Sequence, residues 1–195
     1  DTANDHILTL DAGSGGAIDV DGTIGVLGTE LGGLIIDTSG DTNLDGEINV
    51  GTENINIDTE TFDLNAAMNT ANGGTITISN GGLAEIDGNI TSDGLVTFDN
   101  FGRIDLGANI TTTGAGANVD IVNSELQLTG DRRIETTDGS ITLETVTTDT
   151  ANDHILTLDA GSGGAIDVDG TIGVLGTELG GLIIDTSGDT NLDGE

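Results

Sequence analysis

TITISNGGLAEIDGNITSDG (75–94) and LVTFDNFGRIDLGANITTTGAGA (95–117), written one under the other, put their apolar letters in columns. Ile76 falls over Val96, Ile78 over Phe98, Ala84 over Ile104, Ile86 over Leu106 and Ile90 over Ile110. Each line opens on an alternating tetrapeptide, and alternate residues of a strand face the same side. Four more lines extend the scheme: EINV (47–50), NVDI (118–121), SITL (140–143) and AIDV (165–168). The six rungs are 47–74, 75–94, 95–117, 118–139, 140–164 and 165–194, and they run for 148 residues. Residues 149–195 repeat residues 1–47 letter for letter, an offset of 148. The expectation is one continuous solenoid of six rungs per 148-residue repeat. On that division 1–46 is the end of one repeat, 47–194 a complete one, and residue 195 the start of the next.

The first inward column reads Ile48, Ile76, Val96, Val119, Ile141, Ile166, and the second Val50, Ile78, Phe98, Ile121, Leu143, Val168. A second alternating piece supplies Ile55, Ala84, Ile104, Leu126, Leu156, Leu182, then Ile57, Ile86, Leu106, Leu128, Leu158, Ile184. A third gives Leu64, Ile90, Ile110, Ile134 and Leu192. About three short strands per rung predicts an all-β chain, a parallel β-helix of triangular section. A lone rung cannot bury its apolar face, whereas stacked rungs bury it continuously. Gly-rich corners such as Asp45-Gly46, Asp93-Gly94 and Asp138-Gly139 tolerate positive φ. Asp-Gly also signals hairpins, but a hairpin sandwich would show short turns at even spacing. Columns that persist over six lines argue for the solenoid.

Composition agrees with a thin aliphatic interior. The 195 residues hold 33 Gly and three Phe, with no Trp, Tyr, Pro or Cys. The formal net charge is −32, and the only basic side chains besides His are Arg103, Arg132 and Arg133. Such a chain does not bind nucleic acid, which needs Lys and Arg against its phosphates. No apolar run reaches the ~18 residues of a membrane span, so membrane insertion is not expected. High charge keeps a molecule soluble while it repels itself, which suits an extracellular, saline setting.

Two excursions are expected at rung corners, ETVTTDTAND (144–153) and the apolar, Gly-rich DGTIGVLGTELGG (169–181), as bumps recurring on one face. Residues 59–72, TETFDLNAAMNTAN, read as a short helix or loop.

For chemistry, Asp41, Asn43, Asp45 and Glu47 with Gly46 match the front half of an EF-hand-type loop, a Ca²⁺-binding pattern. The second copy is Asp189, Asn191, Asp193 and Glu195. Position twelve is Thr52 where a bidentate Glu belongs, so a solvated Asp-Gly corner is the competing reading. His6 and His154 are one position seen twice, and no catalytic constellation can be built on one distinct histidine. Arg132-Arg133 is expected in a turn, offsetting carboxylate repulsion. Asn89 and Asn109 are expected to stack at corresponding corners. Neither a catalytic site nor a resident cofactor is read from the chain.

The lines 75–94 and 95–117 resemble rungs of filamentous-haemagglutinin-like adhesins and related large tandem-repeat bacterial surface proteins. The likeness is one of texture: alternating strands, Gly-Asx corners, Thr and Asn richness. It implies a right-handed parallel β-helix, secreted by a bacterium to the cell surface and used as a fibre or adhesin shaft. The functional expectation is therefore a non-enzymatic structural protein, a stiff fibre, stalk or sheath that contacts itself head to tail and laterally. The alternative is a binding module gripping a surface, a glycan or a neighbouring filament through corner loops.

Overall fold

The computed structural model describes residues 6–194. They form 23 strands of three to seven residues and no helix. The strands make three parallel sheets of nine, seven and seven members, visited in rotation. The chain is a parallel β-helix of about eight turns, since nine strands stacked in one sheet span eight steps.

The nine-stranded sheet carries the decisive column. Leu34, Ile55, Ile76, Val96, Val119, Ile141 and Ile166 are consecutive in-register partners, 20–25 residues apart. From Leu34 to Ile166 each is fully buried. The second sheet stacks Phe62, Ala84, Ile104, Leu126 and Val146. The third stacks Ile48, Met68, Ile90, Ile110, Ile134 and Leu158. Burying each Leu or Ile stabilises the fold by about 1.5–3 kcal/mol. No strand has more than a few inward positions, so the stacking of turns holds the coil rather than any strand alone.

All three Phe lie in this core. Phe98 meets Phe101 edge-on, with centroids 6.4 Å apart and planes at 61°. The corners are hydrogen-bonded ladders. Asn80, Asn100 and Asn123 adopt left-handed φ of 73°, 65° and 52°, each four residues after an inward Ile76, Val96 or Val119. Asn is among the few non-Gly residues that visit this region readily. Buried hydroxyls line another corner: Thr70 Oγ1 lies 2.9 Å from Ser92 Oγ, and Thr112 Oγ1 donates to Ala117 O at 2.7 Å.

The phase of the coil differs from six whole rungs per repeat. Ile48 is not under Ile76; it belongs to the third sheet and pairs with Met68, while Ile55 lies under Ile76. The 28-residue line 47–74 therefore holds four strands: Ile48–Val50, Ile55–Asp58, Thr61–Leu64 and Met68–Thr70. The stretch 59–72 is mostly strand, with Phe62 and Met68 buried, not a helix or loop. Likewise 144–153 is not wholly an excursion, because Thr145–Thr148 fills the second sheet and buries Val146. Leu156 and Leu182 belong to the third sheet, not above Leu126.

The two identical segments consequently lie on different faces. Ile7–Gly13 belongs to the nine-stranded sheet, but its copy Ile155–Gly161 belongs to the third sheet. Ile18–Val20 lies in the second sheet and its copy Ile166–Val168 in the nine-stranded one. Nineteen strand steps separate Ile7–Gly13 from Ile155–Gly161. One more position is held by Ile24 and Leu31, bridged to Ile48 and Val50. Twenty positions at three per turn make six and two-thirds turns per 148 residues, an advance of about 32 Å at ~4.8 Å per turn.

Candidate functional site

Side chains that could do chemistry lie on the outward faces, where the coil stacks them in rows. On the nine-stranded sheet Asp11, Asp37 and Asp58 are direct neighbours. On the second, Asn43, Asp63, Glu85 and Asp105 follow one another. On the third, Glu135, Asp159 and Asp185 do. In-register parallel strands bring such groups to one strand spacing, where like charges repel.

The rows are relieved by amides, hydroxyls and two arginines. Asn80 donates to Asp58 at 2.9 Å and Thr61 to Asp41 at 2.7 Å. Arg103 forks onto Asp105 with Nε at 2.6 Å and a terminal nitrogen at 2.8 Å. Arg133 pairs with Glu135 at 3.0 Å and also with Asp159. Arg132–Thr136 is a strand, not a turn, and this is what aims Arg133 along the row. Burial pushes the Asp63 carboxyl above its ordinary value, with a hydrogen bond from Asn65 opposing and Asp87 and Asp45 adding to the rise. Burial also raises Asp120, against a hydrogen bond from Thr142. Asp138 is held low by the Ser162 hydroxyl and backbone N–H, both donating at 2.7 Å.

The EF-hand-like residues do not encircle a point. Asp41–Leu44 is an extended strand, which sets Asp41 and Asn43 about 7 Å apart along its outer face. Asn43 donates to Asp19, Asp45 accepts from Asn65, and Glu47 accepts from Asn69. In the second copy Asn191 donates to Asp167 and Asp193 at 3.1 Å each; Glu195 lies outside the described residues. Instead, stacking gathers Asp19, Asp21 and Asp45 at one exposed corner, with carboxylate oxygens within 4.8 Å of one another. Spacing along the chain could not show this triad, because Asp19 and Asp45 are neighbours only across a turn.

His154 Nε2 lies 2.8 Å from Asp149 Oδ1, five residues earlier in the chain. Asn109 N–H donates to Asn89 Oδ1 at 3.0 Å, and Arg133 N–H to Asn109 Oδ1 at 2.9 Å. The expected corner ladder of asparagines is thus present.

The feature that stands away from the coil is the Gly-rich excursion, which forms a finger in each copy. In the first, Ile24 and Leu31 are anchored to Ile48–Val50, Val26 pairs with Thr29, and Thr29 N–H donates to Val26 O at 2.7 Å. Gly25 must be glycine: its φ is +70°, and a Cβ there would stand 2.1 Å from Asn49 O. Glu30 accepts from Gly28 N–H at 2.7 Å, a bond that holds its carboxyl below the usual range. In the second copy Thr177 donates to Val174 and Gly176 to Glu178 in the same way. The tips are bare: Leu27 is 72% and Leu175 98% exposed. The fingers do not recur on one face, since the first is anchored to the third sheet and the second, through Ile172 and Val146, to the second sheet.

Among the described residues, no helix is long and apolar enough to cross a membrane. No family model, curated protein or solved structure matches the chain.

Proposed function

We propose that the chain is a segment of an extracellular or cell-surface structural fibre, elongated by adding repeats along the coil axis. One observation carries this reading. The repeated segment keeps its own pairing wherever it sits: Ile7 pairs with Gly33 as Ile155 does with Gly181, and Ile18 with Thr42 as Ile166 does with Thr190. The pairing even slips at the same place, between Asp11 and Gly13 and between Asp159 and Gly161. A unit that folds alike on any face sets no limit on length, and solenoid stability grows by such nearest-neighbour terms. Rows of carboxylates on every face and a net charge of −32 favour a soluble, self-repelling rod. The same rows offer no isolated acid–base pair, which favours a non-enzymatic role.

The test is a series of chains lengthened by one, two and three 148-residue units and measured by small-angle scattering. The length should grow by about 32 Å per unit at constant cross-section. A widening cross-section, or units scattering as separate globules, would refute the fibre. The bare fingertips favour a second reading, in which the fibre also grips a neighbour.

A further inference from the structure

We infer that the Val26-Leu27 and Val174-Leu175 fingertips are contacts between copies of this chain lying side by side, tip against tip. The inference rests on the fibre reading for its array, but the contact itself is a property of single chains.

The argument begins with charge. The molecule carries 35 acidic side chains, yet residues 22–29 and 170–177 contain none; the acidic groups flanking them are Asp21 and Glu30 in the first finger and Asp169 and Glu178 in the second. Two coils brought flank to flank would oppose the Asp11–Asp37–Asp58 and Glu135–Asp159–Asp185 rows. In the second finger Gly173 N–H bonds to Val146 O and Thr148 N–H to Thr177 O, so only residues 174–176 stand free of the coil. Repulsion between flanks weakens as salt shortens the screening length, which is about 10 Å at 0.1 M, so added salt should favour contact between tips. The finger therefore presents an exposed apolar tip that carries no carboxylate to a like-charged copy. Identical apolar tips are self-complementary about a two-fold axis, the usual geometry of homomeric contacts.

The tips are also pre-ordered, which suits a contact of small area. The turn hydrogen bond and the glutamate brace fix each tip before it meets a partner. Its feet are bonded to Ile48–Val50 above the first finger and to Thr145–Thr148 below the second. In an array, both sides of every finger would be held this way. One pair of tips buries far less than the ~1,000 Å² of a lasting interface, so binding would depend on many fingers acting together. A repeat of six and two-thirds turns turns each finger by a third of a revolution from the last, and three repeats restore the first face. An array would thus offer its tips in three directions and join neighbours into a bundle rather than a flat sheet.

The full chain tests this by sedimentation velocity over a concentration series, in low and in high NaCl. The intact chain should associate reversibly, more strongly in high salt. The double variant Leu27→Asp/Leu175→Asp should associate about tenfold or more weakly, with unchanged circular dichroism and melting. Leu192→Asp, which alters the open upper turn, should associate like the parent. The inference fails if the intact chain stays monomeric in all conditions, or if the tip variant associates as the parent does. Loss of association in Leu192→Asp alone would assign self-contact to the coil ends, overturning the tip contact while leaving the fibre reading intact.

Discussion

Residues 6–46 and 154–194 have the same sequence, turn at the same places and pair internally in the same register, yet their burial differs. Leu44 is fully buried and its copy Leu192 is 43% exposed. The reverse holds for Leu10, half-buried, and Leu158, fully buried. Among the described residues, the first copy has Ile55–Asp58 and Thr61–Leu64 above it and no strand beneath, while the second has Arg132–Thr136 and Ile141–Leu143 beneath it and no strand above. The comparison separates two things that globular folds confound. Local shape and pairing belong to the segment itself, whereas the burial of a side chain belongs to the turn stacked on it.

The largest expected effect comes from truncating one residue in both places. Leu44→Ala should destabilise by about 2–5 kcal/mol, the cost of a core cavity, and Leu192→Ala by under about 1 kcal/mol. Leu158→Ala should likewise exceed Leu10→Ala. Equal melting shifts within either pair would break the comparison. Next comes the bulge glycine. Gly13 and Gly161 have φ of +66° and +64°, so alanine strains both, by about 1 kcal/mol. At Gly161 its Cβ would also stand 2.8 Å from Asp138 N, whereas at Gly13 nothing lies within 4 Å. Gly161→Ala should therefore lower the melting temperature more than Gly13→Ala.

A smaller effect follows from Asp138, which grips Ser162 from the turn beneath. Its folded carboxyl titrates below the ordinary 3.8, so its contribution is present above that pH and lost as pH falls through the lowered value. Ser162→Ala, which removes the hydroxyl donor to that carboxylate, should lower the melting temperature by about 1–3 °C at neutral pH and by much less in strong acid. Ser14→Ala, the change at the matching position of the first copy, should have little effect at any pH. The smallest change expected is a gain. Asp63 and Asp120 titrate above 3.8 when folded, so stability should rise as pH falls from neutral through their raised values toward 3.8. Asp63→Asn should raise the neutral melting temperature slightly and flatten that pH dependence.

Much of the fold was legible from the sequence, and what escaped has one cause. Alternation located Ile76, Val96, Val119, Ile141 and Ile166, which stack as read. It misplaced Ile48, because strands of all three sheets are equally short and alternate alike, so the pattern does not say which sheet a strand enters. The alignment of line openings thus absorbs one extra strand into 47–74 and hides Thr61–Leu64, Met68–Thr70 and Thr145–Thr148. Counting corners instead of openings would have found it. Asn80, Asn100 and Asn123 recur at a constant four residues from an inward Ile or Val, a signal present in the letters. The Asp19, Asp21 and Asp45 corner was not legible, since it forms only once the phase of the coil is known.

That phase can be measured directly, because the chain has no cysteine of its own. In the structure Thr157 lies on Arg133, whereas six whole turns per repeat would put it on Gln127. Neighbours at one strand spacing fall within the range a disulfide spans, and residues on different sheets do not. Under oxidation Arg133→Cys/Thr157→Cys should form an intramolecular disulfide rapidly and nearly completely, and Gln127→Cys/Thr157→Cys should not. Crosslinking of the second pair in place of the first would contradict the account.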